Sequence, residues 1–328
     1  MIKTNSPYYI SVPWSGFESY ILKIYIWSGL EVDAPVEPQY QIKNINPLGF
    51  TEDNEINISN FINDFISYNL PIDTTTSLNN GGNVVWVKVD VTYPNETTTN
   101  LLIETAIRGY TYGIEGKNAP LVEVDYFEQK VGIDSVYLFS FIGNSVTING
   151  NVYTNGNYLN SDEICQVAYI KVSEFTEDLI EISLNRGVVA TLIKTIEPRY
   201  IPIDIVFINK NGMLQSLTFF KEKVTTLKVD RESYENNFGQ PIDGEHQFKD
   251  YNVNGRTSFS MNSGFVTEEN NEIFKQLFLS QKVWHLENGI YIPLNLKSQQ
   301  IEYKSRQKDR LLNYKVDFEY SYKEINNI

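Results

Sequence analysis

Histidine and cysteine are nearly missing from this chain. Its 328 residues hold two histidines, His246 and His285, and one cysteine, Cys165. A single cysteine excludes an internal disulfide. With two histidines far apart in sequence, it also excludes a zinc site of the usual spacing. A Ser-His-Asp triad would have to use His246 or His285. His246 falls in a polar stretch and His285 follows Trp284 on a strand-like run, so both read as ordinary side chains. Cys165 lies in ICQVAYIKV, an apolar run in which a thiol behaves as a small buried hydrophobe.

Positive charge is scarce too. Lys and Arg number 27 against 41 Asp and Glu, a net charge of −14 with an isoelectric point near 4.7. Such a chain repels a phosphate backbone, so no nucleic-acid partner is expected. No run approaches ~18 uninterrupted apolar residues, so no membrane span is expected. The opening MIKTNSPYYISVPWSGF lacks a basic region followed by a long apolar one. The expectation is a protein made in a cytoplasm, with no secretion signal. Neither GxGxxG after a strand nor GxxxxGK[ST] occurs, so no phosphate-bearing cofactor is implied. TEDNE at 51–55 lacks the alternating acids of a calcium loop and reads as a solvated turn. Acids are plentiful, but a catalytic carboxylate pair is defined by distance in space. Catalytic, cofactor-binding and metal residues are therefore all expected to be none, and the chain is expected not to be an enzyme.

Aromatic and apolar residues are abundant, with 22 Tyr, 18 Phe and 41% hydrophobic residues. Tyr and Phe suit a pleated, half-buried surface, which points to β structure. The length suggests two or three domains. Residues 1–127 read as an N-terminal β-sandwich. In NVVWVKVDVTY the valines at 85, 87, 89 and 91 face one way, and Trp86, Lys88, Asp90 and Thr92 the other. EINISNFINDFI reads as a strand running into a short helix capped by Ser59, and NNGG at 79–82 reads as a loop. Residues 128–229 form a middle β domain, with hairpin signals at Asn149-Gly150 and Asn155-Gly156. It ends in the hairpin DIVFINKNGMLQSLTFFKE around Asn211-Gly212. One face of that hairpin is expected to pack on strands from 164–172 and 188–196. Residues 230–328 form a C-terminal β-sheet carrying one helix. Its first part, 230–250, is polar and turn-rich and reads as a linker or exposed loop. TEENNEIFKQLFLS gives a helix with Thr267 at its N-cap and an apolar stripe of Ile273, Phe274, Leu277 and Phe278. KVWHLENGIYIPLNL turns at Asn288-Gly289, and QQIEYKS and LLNYKVDFEYSY are expected to pair. The fold class is thus mainly β, multi-domain sandwiches and a final sheet with one helix; the first domain looks like a fibronectin-type sandwich.

In EYKSRQKDRLL the basic residues Lys304, Arg306, Lys308 and Arg310 fall at every second position. On a strand all four share one face. They make either a candidate assembly surface for an acidic neighbour, including another copy of the chain, or a solvated hairpin tip. Trp14, Trp27, Trp86 and Trp284 either pack in cores or stack on sugars.

Several segments together resemble virion structural proteins of tailed bacteriophages that infect Bacteroidota. They are EINISNFINDFI, PIDIVFINKNGMLQSLTFFK, NGRTSFSMNSGFVTEENNEIFKQLFLSQKVW, GIYIPLNLKSQQIEYK and LLNYKVDFEYSYKEINN. The resemblance covers most of the chain and is densest over 200–328. It implies a tail, baseplate or neck component located in the virion. Its partners would be other copies of itself and other virion proteins, in a homo-oligomer on the particle. It carries over no catalytic residue. The other reading is a phage receptor-binding or carbohydrate-binding adhesion protein.

Overall fold

The computed structural model describes residues 1–46, 52–112, 127–155, 165–185, 187–236, 244, 246–301 and 312–325. The chain is mostly strand, with several multi-stranded sheets and a helix near the C-terminus. It divides into two compact units where three spans were expected. One comprises Met1–Thr195 and Ile208–Ser216, the other Ile196–Phe207 and Leu217–Ile328.

The first unit begins with β1 (Ile2–Lys3), β2 (Tyr9–Val12), β3 (Ser19–Trp27), β4 (Tyr40–Ile45) and β5 (Asn54–Asn57). Helix α1 (Ser59–Asn63), β6 (Ser77–Asn80), β7 (Val84–Thr92) and β8 (Thr98–Ile107) follow. One sheet runs β1-β8-β7-β3-β4, and β2 pairs with β5. Strand β3 alternates, burying Tyr20, Leu22, Ile24 and Ile26, and β7 buries Val85, Val87, Val89 and Val91 on the facing register. Ile10 and Val12 of β2, with Ile58 and Ile62 from around α1, complete this core. The arrangement is sandwich-like, with the two-stranded β2-β5 sheet sharing a core with the five-stranded sheet, and β1 added parallel to the β8 edge. Ser59 does not cap α1. It is the first helical residue, and Asn57 Oδ1 accepts from its backbone N–H at 3.1 Å.

The same unit holds a second core. It is built by β9 (Phe127–Gly132), β10 (Val136–Ile142), β11 (Ser145–Ile148), β12 (Asn151–Thr154), β13 (Cys165–Lys171), β14 (Leu179–Leu184) and β15 (Gly187–Thr195). The sheet β12-β11-β14-β15-β9 packs Ile148, Ile180, Ile182 and Leu192 against Tyr137, Phe141 and Ile170 of β10 and β13. Asn149 and Gly150 both take positive φ, 45° and 79°, as a tight hairpin requires. Asn155-Gly156 lies partly outside the described residues. The expected loop at 79–82 is in part a strand. Ser77–Asn80 forms β6, which pairs antiparallel with β13.

The chain then runs through β16 (Ile203–Ile208) and β17 (Leu214–Phe219), the hairpin whose tip belongs to the first unit and whose ends belong to the second. In the first unit Gln215 lies opposite Phe139 of β10. The second unit adds β18 (Val224–Glu235), β19 (Phe248–Asn262), α2 (Asn271–Leu279), β20 (Val283–Glu287), β21 (Ile290–Leu296) and β22 (Lys315–Tyr320). Strand β16 pairs with β20 from Asp204↔Leu286 to Phe207↔Val283. The hairpin's edge partners are therefore β10 and β20, while Met213 beside its turn packs in a small apolar cluster with Cys165, in the expected 164–172 strand, and Ile107. The hairpin strands are buried on both faces and carry Asp204, Ser216 and Thr218 inside, the Thr218 hydroxyl donating to Asp204 Oδ1 at 2.7 Å. Of Asn211 and Gly212 only Gly212 takes a positive φ, 72°.

The second unit has the strand order β18-β19-β22-β21-β20-β16. Its helix α2 inserts Ile273, Phe274 and Leu277. Phe274 meets Phe219 edge-on at 6.2 Å and Tyr314 at 4.5 Å. Thr267 stands before a short 3-10 turn, where Asn270 Nδ2 donates to its hydroxyl at 3.0 Å. Strand β22 pairs with β19 and β21. The strand expected from QQIEYKS is not formed by its described residues, 299–301.

Candidate functional site

The feature that stands apart is the distal part of β18 and β19. At the two ends of the expected linker, 230–235 and 248–250 belong to a two-stranded arm. Strand β18 runs on to Glu235, and β19 starts back at Phe248. Their register runs from Val224↔Ser260 to Glu235↔Phe248. A bulge after Asp230 gives β19 one extra residue, with Asn252 at φ 48°. Such a bulge sharpens the local twist. At ~3.3 Å per residue, the stretch from Leu227 to Glu235 extends roughly 25 Å.

The root of the arm is fixed. Phe259 of β19 stacks on Phe318 at 5.7 Å and lies 5.1 Å from the ring of Tyr320. The Lys223 ammonium, just before β18, sits 4.4 Å over the Phe259 ring and donates to the Tyr320 hydroxyl at 3.4 Å. Burial lowers the Lys223 pKa, with Glu287 acting the other way. His285 lies beneath, buried, its ring 6.2 Å from Phe259. The inner edge is covered by the C-terminal segment. Glu324 N–H donates to the Gly255 carbonyl at 2.9 Å, and Asn254 Nδ2 donates to the Ile325 carbonyl at 2.7 Å.

The rest of the arm stands in solvent. Strand β18 is exposed at every position up to Tyr234. Leu227 is 55% exposed and Phe248 63%, and Val224, Val229, Tyr234 and Tyr251 are also open. Arm contacts are internal: Tyr234 on Tyr251 at 5.8 Å, Arg231 with Asp250 at 3.1 Å, and Gln247 donating to Glu235 at 2.8 Å. A hydrogen bond with Glu232, reinforced by its charge, raises the Tyr251 pKa. Strand β18 ends the strand order. Its outer row of N–H and C=O groups therefore meets no other strand among the described residues, which makes it a template for strand addition. Sequence reasoning missed it because Asn, Asp, Gly and Pro dominate 235–247. The β-branched residues Val224, Thr225, Thr226 and Val229 leading into it were the available signal.

Other candidates have plainer roles. The basic stripe of Lys304, Arg306, Lys308 and Arg310 lies outside the described residues. Trp27 stacks on Trp86 at 6.2 Å, and Trp86 is buried. Trp14 packs against the first core, 4.9 Å from Tyr20. Cys165 is buried, and burial pushes its thiol up to about 12, against the reactive thiolate form. His246 is exposed. A cleft of about 340 Å³ in the second unit is lined by Tyr200, Lys221, Val224, Ser260, Phe265 and Lys315. Among the described residues no helix is long and apolar enough to cross a membrane, and no three His, Cys, Asp or Glu side chains gather as metal ligands.

No protein-family model matches this chain, and no curated protein or solved structure matches it.

Proposed function

We propose that this chain is a structural component of a bacteriophage particle, part of its tail, baseplate or neck, and that it works by binding other copies of itself and other virion proteins. In this reading it is a homo-oligomeric binding protein rather than an enzyme. It is made in the host cytoplasm and ends in the virion.

The observation that carries the reading is the arm. A two-stranded ribbon is marginally stable in water by itself. A long, exposed edge with apolar residues on it is an aggregation liability in a free-standing protein. A subunit whose arm is covered on assembly does not carry that liability. The sequence resemblance points the same way. Buried His285 and Cys165 and packed tryptophans supply little for catalysis or sugar stacking.

Quantitative mass spectrometry of purified particles from infected cells tests this. The expected result is many copies per particle, in a fixed ratio to other particle proteins. Finding the chain abundant in lysate yet absent from purified particles overturns the proposal.

A further inference from the structure

We infer that β18 pairs antiparallel with β18 of a second copy of this chain, about a twofold axis through Val229. This rests on the assembly reading and names the partner of its arm.

The register follows from charge. A twofold axis perpendicular to the sheet keeps each face of a strand on its own side. Facing residues in an antiparallel pair share a face, so they are separated by an even number of positions. The axis therefore passes through a residue, which faces itself. An axis at Lys228, Asp230, Arg231 or Glu232 sets two like charges directly opposite, which is destabilising. An axis at Leu227 or Ser233 leaves much of β18 (Val224–Glu235) without a facing residue. The Val229 axis overlaps 224–234 and opposes no like charges. Lys228 faces the partner's Asp230, and Asp230 faces the partner's Lys228. Val224 faces the partner's Tyr234, Val229 faces the partner's Val229, and Thr226 faces the partner's Glu232.

The residues are ready for this. Lys228 Nζ and Asp230 Oδ1 already lie 3.3 Å apart on one face of the strand, both well exposed. Pairing turns that ion pair into a closed square of four alternating charges. It also satisfies the outer backbone groups of β18 and brings Val224 against Tyr234, both of them exposed in the single chain. The contact is isologous, so it closes at two copies and leaves other surfaces for virion neighbours.

The test uses the full chain and two charge reversals, K228D and D230K. Both side chains are exposed, and circular dichroism confirms that each variant folds. Sedimentation equilibrium over a range of concentrations reads the association. Wild type is expected to dimerise. Each variant alone places like charges opposite each other twice, and should dimerise on the order of tenfold more weakly or worse. An equimolar mixture is expected to recover dimer. One variant is then acidic at both positions and the other basic at both, so every facing pair across the axis is again of opposite sign. A mixture no better than either variant alone overturns the inference, as does a wild type that stays monomeric at every concentration. So do single reversals with wild-type association. Any of these results beside stoichiometric incorporation into particles removes the β18 pairing and leaves the virion reading standing. A charge-dependent dimer that is absent from particles does the reverse.

Discussion

At the scale of single residues, Gly212 and Gly150 separate two costs that a positive φ usually mixes. Both are left-handed, at φ +72° and +79°. A Cβ on Gly212 would lie 2.6 Å from the Arg108 carbonyl carbon and 2.7 Å from the Gly109 nitrogen, both rigid backbone atoms of the first unit. A Cβ on Gly150 would meet nothing within 4 Å. Gly150→Ala should therefore cost about 1 kcal/mol of backbone strain. Gly212→Ala should cost about 2–4 kcal/mol, because the strand ends must also move. Urea denaturation midpoints of the two variants check the order. His285 supplies a pH effect. Burial first, and then the Lys223 ammonium, hold its pKa below the usual imidazole range. Its Nδ1 has no hydrogen-bond partner among the described residues. The folded protein favours the neutral ring, while the unfolded chain takes up a proton near pH ~6.5. The stability owed to neutral His285 is complete above that pH and is lost as pH falls through the lower folded value. His285→Phe should flatten the fall in urea midpoint between pH 7.5 and 5.5, and an unchanged slope would show that the ring is not its source.

At the scale of elements, the helix and the arm are opposites. Helix α2 is anchored in a core, where Phe274 is fully buried between Phe219 and Tyr314 beside Ile273 and Leu277. Phe274→Ala should cost about 3–5 kcal/mol, measurable by denaturant unfolding. Shortening the arm by replacing 231–253 with a two-residue turn should cost less than about 1 kcal/mol, because the Tyr234–Tyr251, Arg231–Asp250 and Gln247–Glu235 contacts are internal to the arm, while lowering self-association sharply. The same contrast explains what the sequence made legible. A strand with one buried face, such as β3, alternates visibly, and α2 shows its apolar stripe because every third or fourth residue enters a core. Asn149-Gly150 and Asn288-Gly289 mark their turns by chemistry alone, each with two positive φ values. The arm has no buried face, so it imposes no period, and its polar composition reads as loop. The partners of the 203–219 hairpin were equally hidden. A strand buried on both sides has no solvent face to set its period, and its side chains do not encode which edges it meets. Strand β6 shows a third case, where a short Ser-Leu-Asn-Asn segment pairs with β13 through its backbone more than through its side chains.

At the scale of the whole molecule, net charge and the proposed strand pairing act in opposite directions, and their ranges decide which wins. Two chains each carrying −14 repel at long range. That repulsion reaches ~30 Å at 0.01 M salt but only ~8 Å at 0.15 M. The Lys228–Asp230 contacts act over a few ångströms, inside even the shorter length, so salt weakens them less. Raising the ionic strength from about 0.01 to 0.15 M should therefore strengthen self-association of the wild-type chain, although the contact is itself an ion-pair contact. The same change should help the K228D and D230K variants as well, since it relieves their added like-charge opposition. Sedimentation equilibrium of all three chains at both salt concentrations gives the comparison. If dimerisation of the wild type weakens across this range, local ion pairing outweighs net repulsion, and the charged square contributes more to the interface than its exposed setting predicts. If it strengthens in all three chains while the wild type stays tightest, the global charge sets the background against which β18 selects its register.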